Sequence, residues 1–262
     1  MKSQFTCIAF AAILISQVAA VSKRGIAWPY FEKYDVSTFY ANGKVGWVYD
    51  YEKYKPTGGP VPNGMEFDVM QRVDDSSIGQ LASAAAQNGP YVLGFNEPDN
   101  AGQANLSPQQ AASLWKQYFE PLRSQGKKLV APAITSSSNQ GQGLSWLDEF
   151  VAACSGCHFD AYAFHPYASN ADAVQGSVNY FVNYKNGAYT PAWITEFGRS
   201  PDTVSNAGGA QFIQSVINYL DSEPRVQRYA YLARFDPNSV NVQRDLQNAD
   251  GSKTALGNVY VS

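Results

Sequence analysis

The sequence predicts a single (β/α)8 TIM barrel, an α/β fold, and three observations carry that expectation. Eight short, strand-like runs follow one another along the chain, with helix-forming or turn-rich stretches between them. Most of these runs are continuously apolar, as parallel strands covered on the outside by helices require. Once the first 20 residues are set aside, about 240 remain, near the size of one such barrel and too few for a second large domain.

Those first residues read as an export signal. Lys2 gives a positive start, Cys7 to Ile15 form a short apolar core, and Val18-Ala19-Ala20 offer small residues for cleavage. The core falls short of the roughly 20 residues needed to cross a bilayer, and no later stretch reaches that length. The expected organisation is a signal peptide over 1–20 and one catalytic-type domain over 21–262, secreted, monomeric and without a membrane partner. Lys23-Arg24 reads either as a processing site or as the start of the first strand.

The strand candidates are Gly25–Pro29, Lys44–Tyr49, Met65–Met70, Tyr91–Asn96, Lys128–Pro132, Phe159–His165, Ala192–Phe197 and Gln227–Ala233. Ser76–Asn88 is an Ala-rich helix candidate stopped by Gly89-Pro90, and Ser107 caps a second that has Pro108 at its first position and runs to about Gln125. Further helices are expected over Leu144–Ala153, Asp172–Tyr184 and Gly209–Asp221, with a short one near Leu256. Asp50 to Gly64 is turn-rich, with Pro56, Gly58-Gly59-Pro60 and Pro62-Asn63-Gly64; it reads as a loop in place of a helix, either lining a cleft or serving as plain connection. Repeated strand–helix alternation implies a parallel sheet, and an open doubly wound sheet is disfavoured because no Gly-rich phosphate loop follows the first strand.

Charge is mixed, with 19 basic against 22 acidic side chains and no basic run, which argues against a nucleic-acid partner. Aromatic residues make up 14% of the chain, which suits neutral ring-shaped ligands such as sugars and equally suits a rich core. Without Cys7 the remaining cysteines are Cys154 and Cys157, close enough for a local disulfide in an oxidising compartment. Cys154-Ser155-Gly156-Cys157-His158 also fits the haem-attachment pattern, although it sits just before a strand in a chain with no other redox signal. No cofactor is expected, and with only His158 and His165 no histidine-rich metal site is possible.

Barrel enzymes place reactive groups at the C-terminal ends of different strands. Glu97 follows Tyr91-Val92-Leu93-Gly94-Phe95-Asn96, and Glu196 follows Ala192-Trp193-Ile194-Thr195, so each ends its own strand. Two carboxyl groups facing one bond are what glycoside hydrolysis needs, one to protonate the leaving oxygen and one to attack the anomeric carbon or activate water.

The chain resembles glycoside hydrolase family one hundred and twenty-eight, the glycosyl hydrolase catalytic-core family of fungal β-1,3-glucanases. The stretches that carry the likeness are Lys23-Arg24-Gly25-Ile26-Ala27-Trp28-Pro29, Lys44-Val45-Gly46-Trp47, Gly94-Phe95-Asn96-Glu97-Pro98-Asp99 and Gln103-Ala104-Asn105-Leu106-Ser107-Pro108. Trp146-Leu147-Asp148, Cys154 with Cys157, Asp160, His165 with Tyr167, and Trp193-Ile194-Thr195-Glu196-Phe197-Gly198 extend it. The resemblance implies a retaining mechanism on a β-glucan, with Glu97 as acid/base, kept protonated by repulsion from the nucleophile Glu196. It implies that Asn96 holds a sugar hydroxyl and that His165 and Tyr167 orient the nucleophile or bind sugar. Trp28 and Trp47 read as the ends of the first two strands, where their rings either stack on sugar faces or pack in the core. Asn105-Leu106-Ser107 is a glycosylation sequon followed by Pro108. Tyr49-Asp50-Tyr51, Met70-Gln71-Arg72, His165-Pro166-Tyr167 and Tyr231-Leu232 depart from the commoner family pattern, and read as outer cleft positions where flat stacking surfaces are lost. The competing expectation is a non-catalytic glucan-binding protein on the same barrel.

Overall fold

The computed structural model describes residues 21–200 and 208–262; the expected signal peptide lies outside them. The strands are β1 (Arg24–Ala27), β2 (Trp47–Tyr49), β3 (Glu66–Phe67), β4 (Val69–Met70), β5 (Tyr91–Leu93), β6 (Lys128–Thr135), β7 (Ala161–His165), β8 (Tyr167–Ala168), β9 (Ala192–Ile194), β10 (Gly198–Arg199) and β11 (Val226–Leu232). All except β8 and β10 form one parallel sheet in the order β3-β2-β1-β11-β9-β7-β6-β5-β4. Its two edge segments, β3 and β4, are halves of one run parted only at Asp68. The first half pairs with β2 through Trp47↔Glu66, the second with β5 through Val69↔Val92. The sheet therefore closes, and its nine segments make the eight strands of a barrel. Arg24 belongs to β1, so Lys23-Arg24 leads into the first strand.

Closure works because the polar residue at the break is paired, even though burial and the neighbouring Glu66 push its carboxyl pKa well up. Asp68 is fully buried, donates its N–H to the Val48 carbonyl at 3.0 Å, and accepts Arg228 Nη1 at 2.7 Å. Arg228 crosses the barrel floor, reaches Glu66 at 2.5 Å, and lies over the rings of Tyr91, Trp193 and Trp47 at 4.5, 4.8 and 5.5 Å.

Alternation along the strands builds two apolar layers. Ala27, Trp47, Tyr49, Leu93, Ala163, Trp193 and Ala230 fill the barrel interior, whereas Ile26, Trp28, Val48, Phe164, Ile194, Tyr229 and Tyr231 face outward into the larger core. Small inward alanines leave room for the two indoles. The helices that cover the barrel are α1 (Leu81–Ala86), α2 (Pro108–Leu114), α3 (Gly143–Ala153), α4 (Ala171–Asn183), α5 (Gly209–Ser222) and α6 (Ala255–Tyr260). Ser107 caps α2 as expected, but the regular helix stops at Leu114 and passes through a π-helical turn (Trp115–Phe119) into a 3-10 segment (Glu120–Gln125). Pro121 accounts for the break, since it has no N–H to donate to the Gln117 carbonyl. No helix forms between β2 and β3. Cys154 and Cys157, just after α3, are bonded to each other, which removes both sulfurs from the haem reading.

Arg228→Ala should destabilise the fold by about 3–5 kcal/mol, because it leaves a buried carboxyl group without its partner, and should lower the urea midpoint. Adding Asp68→Asn should recover part of that loss; an unchanged midpoint in the single variant would contradict the role given to the pair.

Candidate active site

The C-terminal ends of β5, β7 and β9 bring Glu97, His165 and Glu196 to one point. β5 continues through Asn96, bridged to Ala133, and the Glu97 N–H donates to the Ala133 carbonyl at 2.8 Å. The chain then turns with Glu97 at φ 44°, a left-handed conformation uncommon outside glycine. Such strain persists only where the surroundings over-determine it, and here they do. The Asp99 carboxylate receives Thr135 N at 3.2 Å, Thr135 Oγ1 at 2.5 Å and Gly143 N at 2.7 Å, tying this turn to the end of β6 and the start of α3.

One oxygen of Glu97, one of Glu196 and a ring nitrogen of His165 all lie within 4.8 Å of one another. His165 Nδ1 is 3.0 Å from Glu97 Oε1 and 3.7 Å from Glu196 Oε1, and its Nε2 is 2.8 Å from Thr195 Oγ1. Asn100 Nδ2 donates to the second Glu97 oxygen at 3.0 Å. Glu196 accepts one phenol on each oxygen, Tyr51 at 2.6 Å and Tyr167 at 2.7 Å. Tyr49, on β2, donates to the Thr195 carbonyl at 2.9 Å and so steadies the residue before Glu196. Two carboxylates and an imidazole are a donor set that a metal ion could use. Their oxygens are instead met by phenol, amide and imidazole donors, an arrangement that orients carboxylates for proton and carbon chemistry.

Burial makes the imidazolium of His165 harder to form, but the charges of Glu196 and Glu97 outweigh it and hold its pKa above the ordinary histidine value. Burial likewise raises Glu97, and the hydrogen bond and charge of His165, with the Asn100 amide, overcome it and hold Glu97 below the usual carboxylate range. In the free protein the shared proton therefore resides on His165, which differs from the expectation of a Glu97 kept protonated by repulsion. Tyr51 and Tyr167 are pushed well above ordinary phenols by burial and by the Glu196 charge, so they remain neutral donors.

Of the other sequence candidates, Asn96 is at the site. It is buried, its Nδ2 donates to Gln103 Oε1 at 3.3 Å, and its Oδ1 has no protein partner. A buried acceptor left open is what a ligand hydroxyl would satisfy. Trp28 and Trp47 are both buried in the core, although Trp28 lies just past the end of β1 and also lines a cleft with Asp50 and Glu52. Trp28 faces outward, fully buried with its ring against the edge of Phe39 at 5.8 Å. Trp47 begins β2 rather than ending it, so it lies deep in the interior between Tyr49 and Trp193 with Nε1 bonded to the Lys23 carbonyl. Asn105 is exposed and left-handed at φ 47°. Tyr51 is the residue the sequence reading missed: it reaches the carboxylate centre rather than an outer cleft. Its signal was the spacing Trp47, Tyr49, Tyr51, since alternate residues of one run share a face.

A family model described as the glycosyl hydrolase catalytic core matches residues 25–260, which takes in the whole barrel and both glutamates. The chain belongs to that family. Solved members of glycoside hydrolase family GH128 are similar to it in fold and, more distantly, in sequence. A subgroup IV endo-β-1,3-glucanase from Lentinula edodes is 32% identical over 92% of this chain and 100% of that one, with a TM-score of 0.78. A subgroup I endo-β-1,3-glucanase from Amycolatopsis mediterranei, solved with laminaritriose, is 27% identical over 92% and 98% of the two chains, with a TM-score of 0.73. Alkali-sensitive linkage protein 1 of Schizosaccharomyces pombe is 31% identical over 249 residues, 92% of this chain and 44% of that protein, so this family member spans under half of that relative.

With two histidines in the sequence, both imidazoles can be followed by NMR. His165 should titrate above the ordinary value near 6.5, so it stays protonated as pH rises past that point. Glu97→Gln removes an anion beside it and should move that titration downward; an upward or absent shift would contradict the pairing.

Proposed function

We propose that this family member is a secreted retaining hydrolase of β-1,3-glucan, with Glu196 as nucleophile and Glu97 as acid/base. The observation that carries the reading is the approach of the two carboxylates, with oxygens within 4.8 Å, on the ends of two different strands. Retaining glycosidases hold their pair about 5–5.5 Å apart, whereas inverting ones leave about 6.5–9.5 Å for a water between them. The similarity to glucanases that act on β-1,3-glucan supports the substrate class. The disulfide between Cys154 and Cys157, together with the export signal read at residues 1–20, supports action outside the cell.

In this reading a glucan binds with its scissile oxygen at Glu97 and its anomeric carbon at Glu196. Substrate excludes water from the pair, and the proton on His165 Nδ1 passes 3.0 Å to Glu97 Oε1, leaving a neutral imidazole and a carboxylic acid. Glu196, oriented by Tyr51 and Tyr167, attacks the anomeric carbon while Glu97 gives its proton to the departing sugar oxygen. Esterified Glu196 has lost its charge, and Glu97 now takes a proton from water, whose oxygen displaces the glutamate. Asn96 Oδ1 accepts a hydroxyl of the sugar under attack.

Incubation with a linear β-1,3-glucan should release reducing ends whose first-formed anomer is β. Tight binding without new reducing ends would point instead to a glucan-binding protein, and an α product would exclude retention. Glu196→Gln should abolish turnover. Glu97→Gln should cost about 10²–10⁴-fold in kcat on glucan, and azide should restore activity only on a substrate whose leaving group needs no proton.

A further inference from the structure

Outside the carboxylate centre, a cleft of about 540 Å³ opens between the loop from β6 to α3 and the outer face of α4, a volume within the usual range for small-ligand sites. No lining residue is charged. One wall is a run of hydrogen-bonding side chains that includes Ser136, Asn139 and Gln142; its shape is fixed by Ser137 Oγ and Asn139 Nδ2 donating to Gln142 Oε1 at 2.7 and 3.1 Å. The other wall is one face of α4, with Gly176 and Tyr180 one turn apart, continued by Tyr184 just past the helix end. Tyr184 is anchored by its hydroxyl to Asp148 at 2.9 Å and meets Tyr180 edge-on at 5.9 Å, while Tyr180 stays 64% exposed.

Gly176 supplies the second observation. A glycine inside a helix weakens it, and packing does not require this one, because a Cβ there would meet nothing within 4 Å. Its effect is to keep that wall of the cleft open beside a ring. Uncharged amides and hydroxyls facing an aromatic platform match neutral sugars, which offer hydroxyls at their edges and C–H bonds on their faces. Nothing in the lining favours a phosphate or a metal ion.

We propose that this cleft is a second, non-catalytic binding site for a β-glucan strand, with Tyr180 as its stacking platform. The ligand class rests on the function proposed above; the site itself rests on the cleft. Affinity electrophoresis through a soluble β-1,3-glucan, run beside hydrolysis of short β-1,3-oligosaccharides, tests both. Gly176→Leu adds a good helix former that fills the space along that wall, and Tyr180→Ala removes the platform. Each should weaken retardation about three- to tenfold and leave short-oligosaccharide hydrolysis within about twofold of the parent. Parental retardation in both variants would overturn the second site while leaving the hydrolase intact, and an equal loss on short substrates would make the cleft part of the catalytic groove and overturn it too. A parent that is retarded but never hydrolyses, with retardation lost in both variants, would uphold the cleft and refute the hydrolase.

Discussion

Two carboxylates brought within 4.8 Å repel each other by roughly 3–4 kcal/mol at an effective dielectric near 20, and the upper half of the barrel is organised around offsetting that repulsion. His165 does most of it by facing both glutamates, at 3.0 and 3.7 Å. Thr195 fixes the far side of the imidazole, and Tyr51 and Tyr167 take up the outward lone pairs of Glu196. The left-handed turn at Glu97 and the hold of Asp99 on β6 serve the same end, since a carboxylate free to swing away would escape its neighbour instead of facing it.

The eight strands and the two glutamates were legible in the sequence because both depend on local order. Apolar runs mark strands whatever surrounds them, and a residue just after such a run lies at a strand end. What the sequence hid depends on how strands meet. The start of β2 at Trp47 sends that indole to the floor, and Trp28, just past β1, turns its ring outward into the larger core. α2 is shorter than its helix-forming run for a local reason, the effect of Pro121 on the turn before it.

The electrostatics of Glu97 could not be read from the chain at all. Nothing near position 97 announces that an imidazole 68 residues away sits on its oxygen. Repulsion between the two acids would raise Glu97, yet with His165 interposed the balance reverses and the proton settles on nitrogen. Tyr51 is an intermediate case. Its face was readable from alternation, but its reach to Glu196 depends on a left-handed backbone at φ 67° that the turn-rich segment after β2 imposes.

The floor and the mouth of the barrel turn out to repeat one motif, a single basic side chain facing two carboxyl groups. Below, Arg228 faces Glu66 and Asp68; above, His165 faces Glu97 and Glu196. A guanidinium keeps its charge at any pH a protein survives, so the lower version is a rivet whose only duty is to hold. An imidazole can surrender its proton near neutrality, so the upper version is a valve. The same charge pattern thus serves permanence at one end of the barrel and exchange at the other, and the choice between them lies in one basic side chain.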